Sequence, residues 1–125
     1  MTTPKIVDIF SKKCDKILDD EPYIRFAGVI NRYGRLIAGG FRKGVEPFID
    51  DSKSKMVYMQ MCLEWSMRKE FDDTLGPIKW IASRRENVVM VSIPISEHLL
   101  LISTEPVSQV GSISKRARET FREYL

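Results

Sequence analysis

At 125 residues, with 43% apolar and 30% charged side chains, the chain has an ordinary globular balance and a length that suits a single domain spanning 1–125. Its formal charge of +3 is too small to imply nucleic acid by itself, and no run approaches the roughly 20 apolar residues that cross a bilayer or opens the chain as a signal peptide would. Cys14 and Cys62 lie far apart and in no metal-like spacing, which points to two reduced, buried thiols in a cytoplasmic protein.

Thr3, Pro4 and Lys5 predict the start of a first helix, because threonine accepts from a free backbone amide and proline after it loses no helical hydrogen bond. Ile6, Phe10, Cys14 and Ile17 form its apolar stripe, and Pro22 stops it, with fraying expected from Asp19 onward. Tyr23 to Ile30 reads as an interior strand, with Ile24, Phe26, Gly28 and Ile30 on one face. The tetrad Asn31-Arg32-Tyr33-Gly34 is a reversal signal, and Arg35 to Phe41 returns as the partner strand. The paired Gly39-Gly40 there permits a bulge or a close helix contact. Arg42 to Asp50 is a connection whose Val45, Phe48 and Ile49 are expected to fold back onto the core.

Asp51 to Gly76 predicts a long central helix with two apolar faces. Met56, Met59, Leu63, Met67 and Phe71 share one side; Tyr58, Met61, Cys62 and Trp65 lie nearly opposite. A helix lying on one sheet hides only one stripe, so the second requires either a terminal helix of the same chain or a second copy. Gly76-Pro77 ends the helix. Ile78 to Ser83, Val88 to Pro94 and His98 to Thr104 then predict a three-strand meander, turned at Arg84 to Asn87 and at Ser96-Glu97. Pro106 to Gly111 leads into a last helix beginning near Ser112, with Ile113, Ala117, Phe121 and Tyr124 at helical spacing. The order α-β-β-α-β-β-β-α predicts an α+β fold: a five-stranded antiparallel sheet, a long central helix and terminal helices.

Within that order, Gly28-Val29-Ile30-Asn31-Arg32-Tyr33-Gly34-Arg35-Leu36-Ile37-Ala38 resembles the first strand, polar turn and return strand of the roadblock family, the dynein light-chain and small-GTPase-regulator group of profilin-like architecture. Val110-Gly111-Ser112-Ile113 is similar to the small-residue entry of that family's final helix. The resemblance implies a noncatalytic homodimeric scaffold or regulator, with long helices paired across the interface and middle strands joined edge to edge. A small GTPase-like protein is the partner it suggests. Carried onto this chain, it places Tyr58, Met61, Cys62 and Trp65 in the helix pairing, and Ile78 and Trp80 on the joining edge that runs to Ser83. The residue-level alternative for the same stripe is packing within one subunit.

Reaction chemistry finds no constellation in the sequence. His98 is the only histidine and has no nucleophile and carboxylate in pattern with it, so a turn or strand-edge role is expected. Asp50, Asp51, Asp72 and Asp73 read as helix caps or solvated acids. Gly34, Gly39, Gly40 and Gly44 lack the Gly-Lys-Ser/Thr setting of a phosphate loop. No catalytic residue, metal ligand or cofactor is therefore expected. Two alternatives to the regulatory reading stand: a structural dimerisation module, and a nucleic-acid-binding protein whose basic surface would draw on Arg32, Arg35, Arg84 and Arg85, with Tyr33 beside them to stack on a base.

Overall fold

The computed structural model describes residues 3–106 and 109–125. In chain order the elements are α1 (Pro4–Asp20), β1 (Ile24–Ile30), β2 (Leu36–Phe41), α2 (Asp51–Arg68), α3 (Asp72–Leu75), β3 (Ile81–Arg84), β4 (Val89–Ile95), β5 (His98–Thr104) and α4 (Val110–Thr120). A 3-10 turn at Lys69–Phe71 joins α2 to α3, so the predicted central helix is nearly continuous from Asp51 to Leu75. Gly76 ends it at φ 86, its amide donating to the Asp72 carbonyl. The five strands form one antiparallel sheet in the order β2-β1-β5-β4-β3.

The sheet has a helical layer on each face. Phe10, Cys14 and Ile17 of α1, Ile113 and Ala117 of α4 and Phe121 just after it pack on Val29, Val91, Ile93, Leu100 and Ile102 to make the larger core. The other face carries Phe26, Ile30, Leu99 and Leu101 against Trp65 of α2. A bulge between Ile24 and Phe26 in the β1–β5 register sends Ile24 to the α1 side, away from Phe26, where strict alternation predicts the two together.

Local chemistry explains the boundaries. Thr3 Oγ1 accepts from the Ile6 amide, as a capping threonine does. Asn31 Oδ1 accepts from the amides of Tyr33 and Arg35, closing the β1–β2 turn with Gly34 at φ 76. Gly39, at φ 79, lets β2 pass beside α1: a Cβ there would lie 2.9 Å from the Cys14 sulfur and 2.2 Å from the Ala27 carbonyl oxygen.

Four expectations need correction. α1 holds to Asp20 instead of fraying at Asp19, because Arg42 caps its exposed carbonyls: the guanidinium donates to Leu18 and Glu21 and, at 2.8 Å, to Ile24. Phe48 does not fold onto the core; it is exposed and lies over the Arg25 guanidinium, 4.1 Å from ring centre to Cζ. β3 starts at Ile81, after the expected Ile78. Val107 and Ser108, in the expected loop from Pro106 to Gly111, lie outside the described residues, and α4 already begins at Val110, ahead of Ser112.

Arg42→Met should lower the unfolding free energy by about 2–4 kcal/mol, since it strands several carbonyl acceptors at the α1 terminus. A fall in the urea midpoint at constant slope is the expected result. An unchanged midpoint would show that water replaces the guanidinium without loss.

Candidate interaction surface

The two stripes of α2 have opposite fates. Trp65 is 5% exposed and its indole Nε1 donates to Ser92 Oγ at 2.8 Å, in the middle of the sheet face. Tyr58 stacks over Phe26, Cys62 Sγ lies 3.5 Å from the Asn31 carbonyl oxygen, and Met61 packs in the same cluster. Burial raises the Tyr58 and Cys62 pKa values. The Asp51 charge adds to the effect on Tyr58, and the Gly34 amide partly offsets it on Cys62.

Met56, Met59, Leu63, Met67 and Phe71, with Leu75 beyond them, are exposed, Met67 to 73% and Leu75 to 80%. The expected helix-pairing set is thus corrected: Tyr58, Met61, Cys62 and Trp65 face the sheet of their own chain. The reason lies in their polar tips. An indole N–H under a helix needs an acceptor, and Ser92 supplies one in an otherwise apolar strand. Period alone separates two stripes; it does not say which one the sheet takes. Ser92 was the available signal.

The edge residues divide. Ile78 is half-buried against the Trp65 cluster, whereas Trp80 remains exposed just before β3. β3 forms an outer edge of the sheet in unbroken register with β4. β2, the other edge, has an extra residue at Ile37 in its pairing with β1 and the left-handed Gly39.

The four arginines do not form one surface. Arg32 and Arg35 flank the β1–β2 turn, while Arg84 and Arg85 lie at the β3–β4 turn, at the other end and the other edge of the sheet. Strand length alone separates the two pairs by about 20 Å. The Arg32 guanidinium lies over Tyr33, and Arg84 donates to the Glu86 carbonyl. On α4, Arg116 reaches the Asp20 carbonyl and pairs with Glu21, a structural use of that charge.

His98 opens β5 with its ring edge-on to Phe10, and burial depresses its pKa. Among the described residues no group of three His, Cys, Asp or Glu side chains is placed to hold a metal ion, and no helix is long and apolar enough to cross a membrane.

One large concavity exists on the α2 face. The first half of α2 stands off the sheet and leaves an open cleft of about 860 Å³. Phe41, Phe48, Ile49, Met56, Val57 and Met90 supply much of its apolar lining, and Lys53, Arg85 and Glu86 border it.

The chain belongs to the group described as "Family of unknown function (DUF6659)", matched over residues 3–124. No curated protein matches it. Among solved structures it is similar to Myxococcus xanthus MglB, at 10% identity and a TM-score of 0.76 over 98% of this chain and 90% of that one. It is also similar to a Roadblock/LC7 domain from Streptomyces avermitilis, at 7% identity and 0.69 over 90% and 92%. A structure of MglB with tetrameric arrangement aligns at 13% identity and 0.70 over 100% and 96%. The fold is therefore roadblock-like.

Trp65→Ala should cost about 3–5 kcal/mol of folding stability, as loss of a buried aromatic does. A variant that sediments differently at unchanged stability would contradict this placement. The thiols give a second check. Cys14, fully buried, has its pKa pushed up to about 12 by burial and then by Asp15, so it stays protonated at mildly alkaline pH. Iodoacetamide should modify native Cys62 well before Cys14; equal rates would place Cys14 at the surface.

Proposed function

We propose that the chain is a noncatalytic scaffold or regulator that works as a homodimer and presents a composite surface to a small GTPase-like protein. The observation that carries this reading is the run of exposed large apolar side chains along the central helix, Met56, Met59, Leu63 and Met67 on α2, with Phe71 and Leu75 beyond it. Monomeric soluble proteins rarely leave a continuous apolar strip of that length in water. Methionine suits such a surface because its unbranched chain repacks against a partner.

The β3 edge supports the same reading. Its four residues are regularly paired on one side, and as an end strand it offers backbone donors and acceptors on the other. The β2 edge is blunted by its bulge and by Gly39, so a second sheet has one favourable place to join. The MglB relative with a tetrameric arrangement supports assembly through this fold. The mechanism is geometric: pairing two copies creates a rigid helix-and-sheet surface that neither chain presents alone. Neither arginine pair makes a continuous track, so no observation favours nucleic acid.

Leu63→Asp, at the middle of the exposed stripe, should weaken self-association by about 100-fold or more while leaving thermal stability close to wild type. Sedimentation equilibrium of both proteins tests this. A wild-type chain that keeps the mass of one subunit at high micromolar concentration would refute the pairing. Capture of a nucleotide-binding protein from nuclease-treated lysate by wild type, and its loss with Leu63→Asp, tests the regulatory half.

A further inference from the structure

We infer that the cleft beneath the first half of α2 binds a free fatty carboxylate, with its chain against the sheet and its charged end at Lys53 and Arg85. Both walls of the cleft come from one chain, so the inference stands apart from the pairing of two copies.

The cleft has a sealed end and an open one. Phe26 stands in register with Phe41 and with Ser103, and Val89 with Thr104. Phe41, Ser103 and the β3–β4 turn at Arg85 therefore share one end of the sheet. α2 begins over that end and closes down toward the other. Tyr58 stacks on Phe26, Cys62 meets the Asn31 carbonyl at the β1–β2 turn, and Trp65 seals the middle through Ser92. The space left at the open end, about 860 Å³, lies in the range of small-molecule sites.

The walls select an occupant without a peptide backbone. Phe26, Leu101 and Met90 on the floor come from β1, β5 and β4, the three strands with a ladder neighbour on each side. Their amides and carbonyls are already used. Val57, Tyr58 and Met61 face them from α2, whose backbone bonds within the helix. Ser54, Gln60 and Ser103 add polar side chains, but the floor has no open ladder edge. A peptide laid there would bury amides without backbone partners, a cost that an acyl chain does not incur.

The mouth has the charge that a carboxylate needs. Lys53 and Arg85 border it against Glu86, and among the described residues neither cationic side chain has an ion pair or hydrogen bond. Arg25, the third lining cation, is held by Glu105 at 3.2 Å and by the Glu46 carbonyl at 2.9 Å, beneath the Phe48 ring. It shapes the wall and is not available to a ligand. Asp50 and Asp51 stand outside the lining, and Asp50 caps α2 by accepting from the Lys53 amide. Two uncommitted cations beside an apolar recess match one anionic group on an apolar tail.

Equilibrium dialysis of the full chain against radiolabelled laurate, kept below its micelle concentration, tests the site. One laurate per chain is expected. Laurate should bind about tenfold more tightly than decanoate, the effect of two further buried methylenes. Lys53→Gln with Arg85→Gln should weaken laurate binding about fivefold to tenfold at unchanged thermal stability, while dodecanol, which lacks the charge, binds both proteins alike. No bound laurate, equal binding of decanoate, or a charge variant that binds laurate as wild type does overturns the inference. So does retention on phosphatidylglycerol vesicles without uptake of free laurate, which assigns the cleft to a lipid surface. Loss of bound laurate as the chain self-associates also overturns it, and assigns the cleft to a second copy.

Discussion

The placement of one indole governs the rest of the molecule. Trp65 reaches a hydrogen-bond acceptor at Ser92, in a strand otherwise made of Val, Met, Ile and Pro, and this selects which side of α2 lies on the sheet. Leaving that N–H buried without a partner would cost a few kcal/mol, whereas the opposite stripe has no polar atom to satisfy and tolerates either surroundings. Once Trp65 is down, Tyr58 stacks on Phe26, and Cys62 meets the turn carbonyl of Asn31. The Met-rich side is then turned to solvent by necessity. A local polar contact therefore decides where the chain is left adhesive.

The sheet makes a matching choice at its edges. Its two outer strands have comparable neighbours but unequal geometry. β2 spends an extra residue at Ile37 and a left-handed glycine at Gly39 so that it can run against Cys14 of α1. The close approach that consolidates the larger core also disrupts the flat ladder that an incoming strand would need. β3 keeps a regular register, packs its Ile81 against the Trp65 cluster and begins just after the exposed Trp80. Core packing on one face has thus broken the ladder of one outer strand and left that of the other regular.

Much of this was legible from residue order. Thr3-Pro4, Asn31 through Gly34, Gly76-Pro77 and Ser96-Glu97 mark boundaries because their backbone chemistry is local, and each stands where that chemistry requires. The close helix contact allowed at Gly39-Gly40 is present as well. What the chain order left open was long-range. Two stripes of similar apolarity cannot be assigned to inside and outside without knowing that Ser92 lies opposite Trp65, which depends on strand pairing. The grouping of Arg32 and Arg35 with Arg84 and Arg85 failed for the same reason, since turns of similar composition lie at opposite corners of the sheet. Arg42 could be read as one more surface charge, yet it closes a helix end more than twenty residues upstream.

The closed core and the exposed apolar stripe draw on different residues. The larger core is closed within one chain by Phe10, Phe121 and their neighbours, so the subunit has a complete interior on that face. The α2 face is only half closed: Trp65 seals the second half of the helix, while the first half stands off and leaves a recess. An incomplete layer of this kind is costly in an isolated chain, because apolar walls remain wetted, and that cost becomes driving force once a second surface covers them. The exposed stripe lies on the flank of α2 turned away from the sheet, and the recess lies between its first half and the sheet. Both leave apolar surface in water, one beyond the helix and one beneath it, so the α2 layer is where the packing of the single chain stops short.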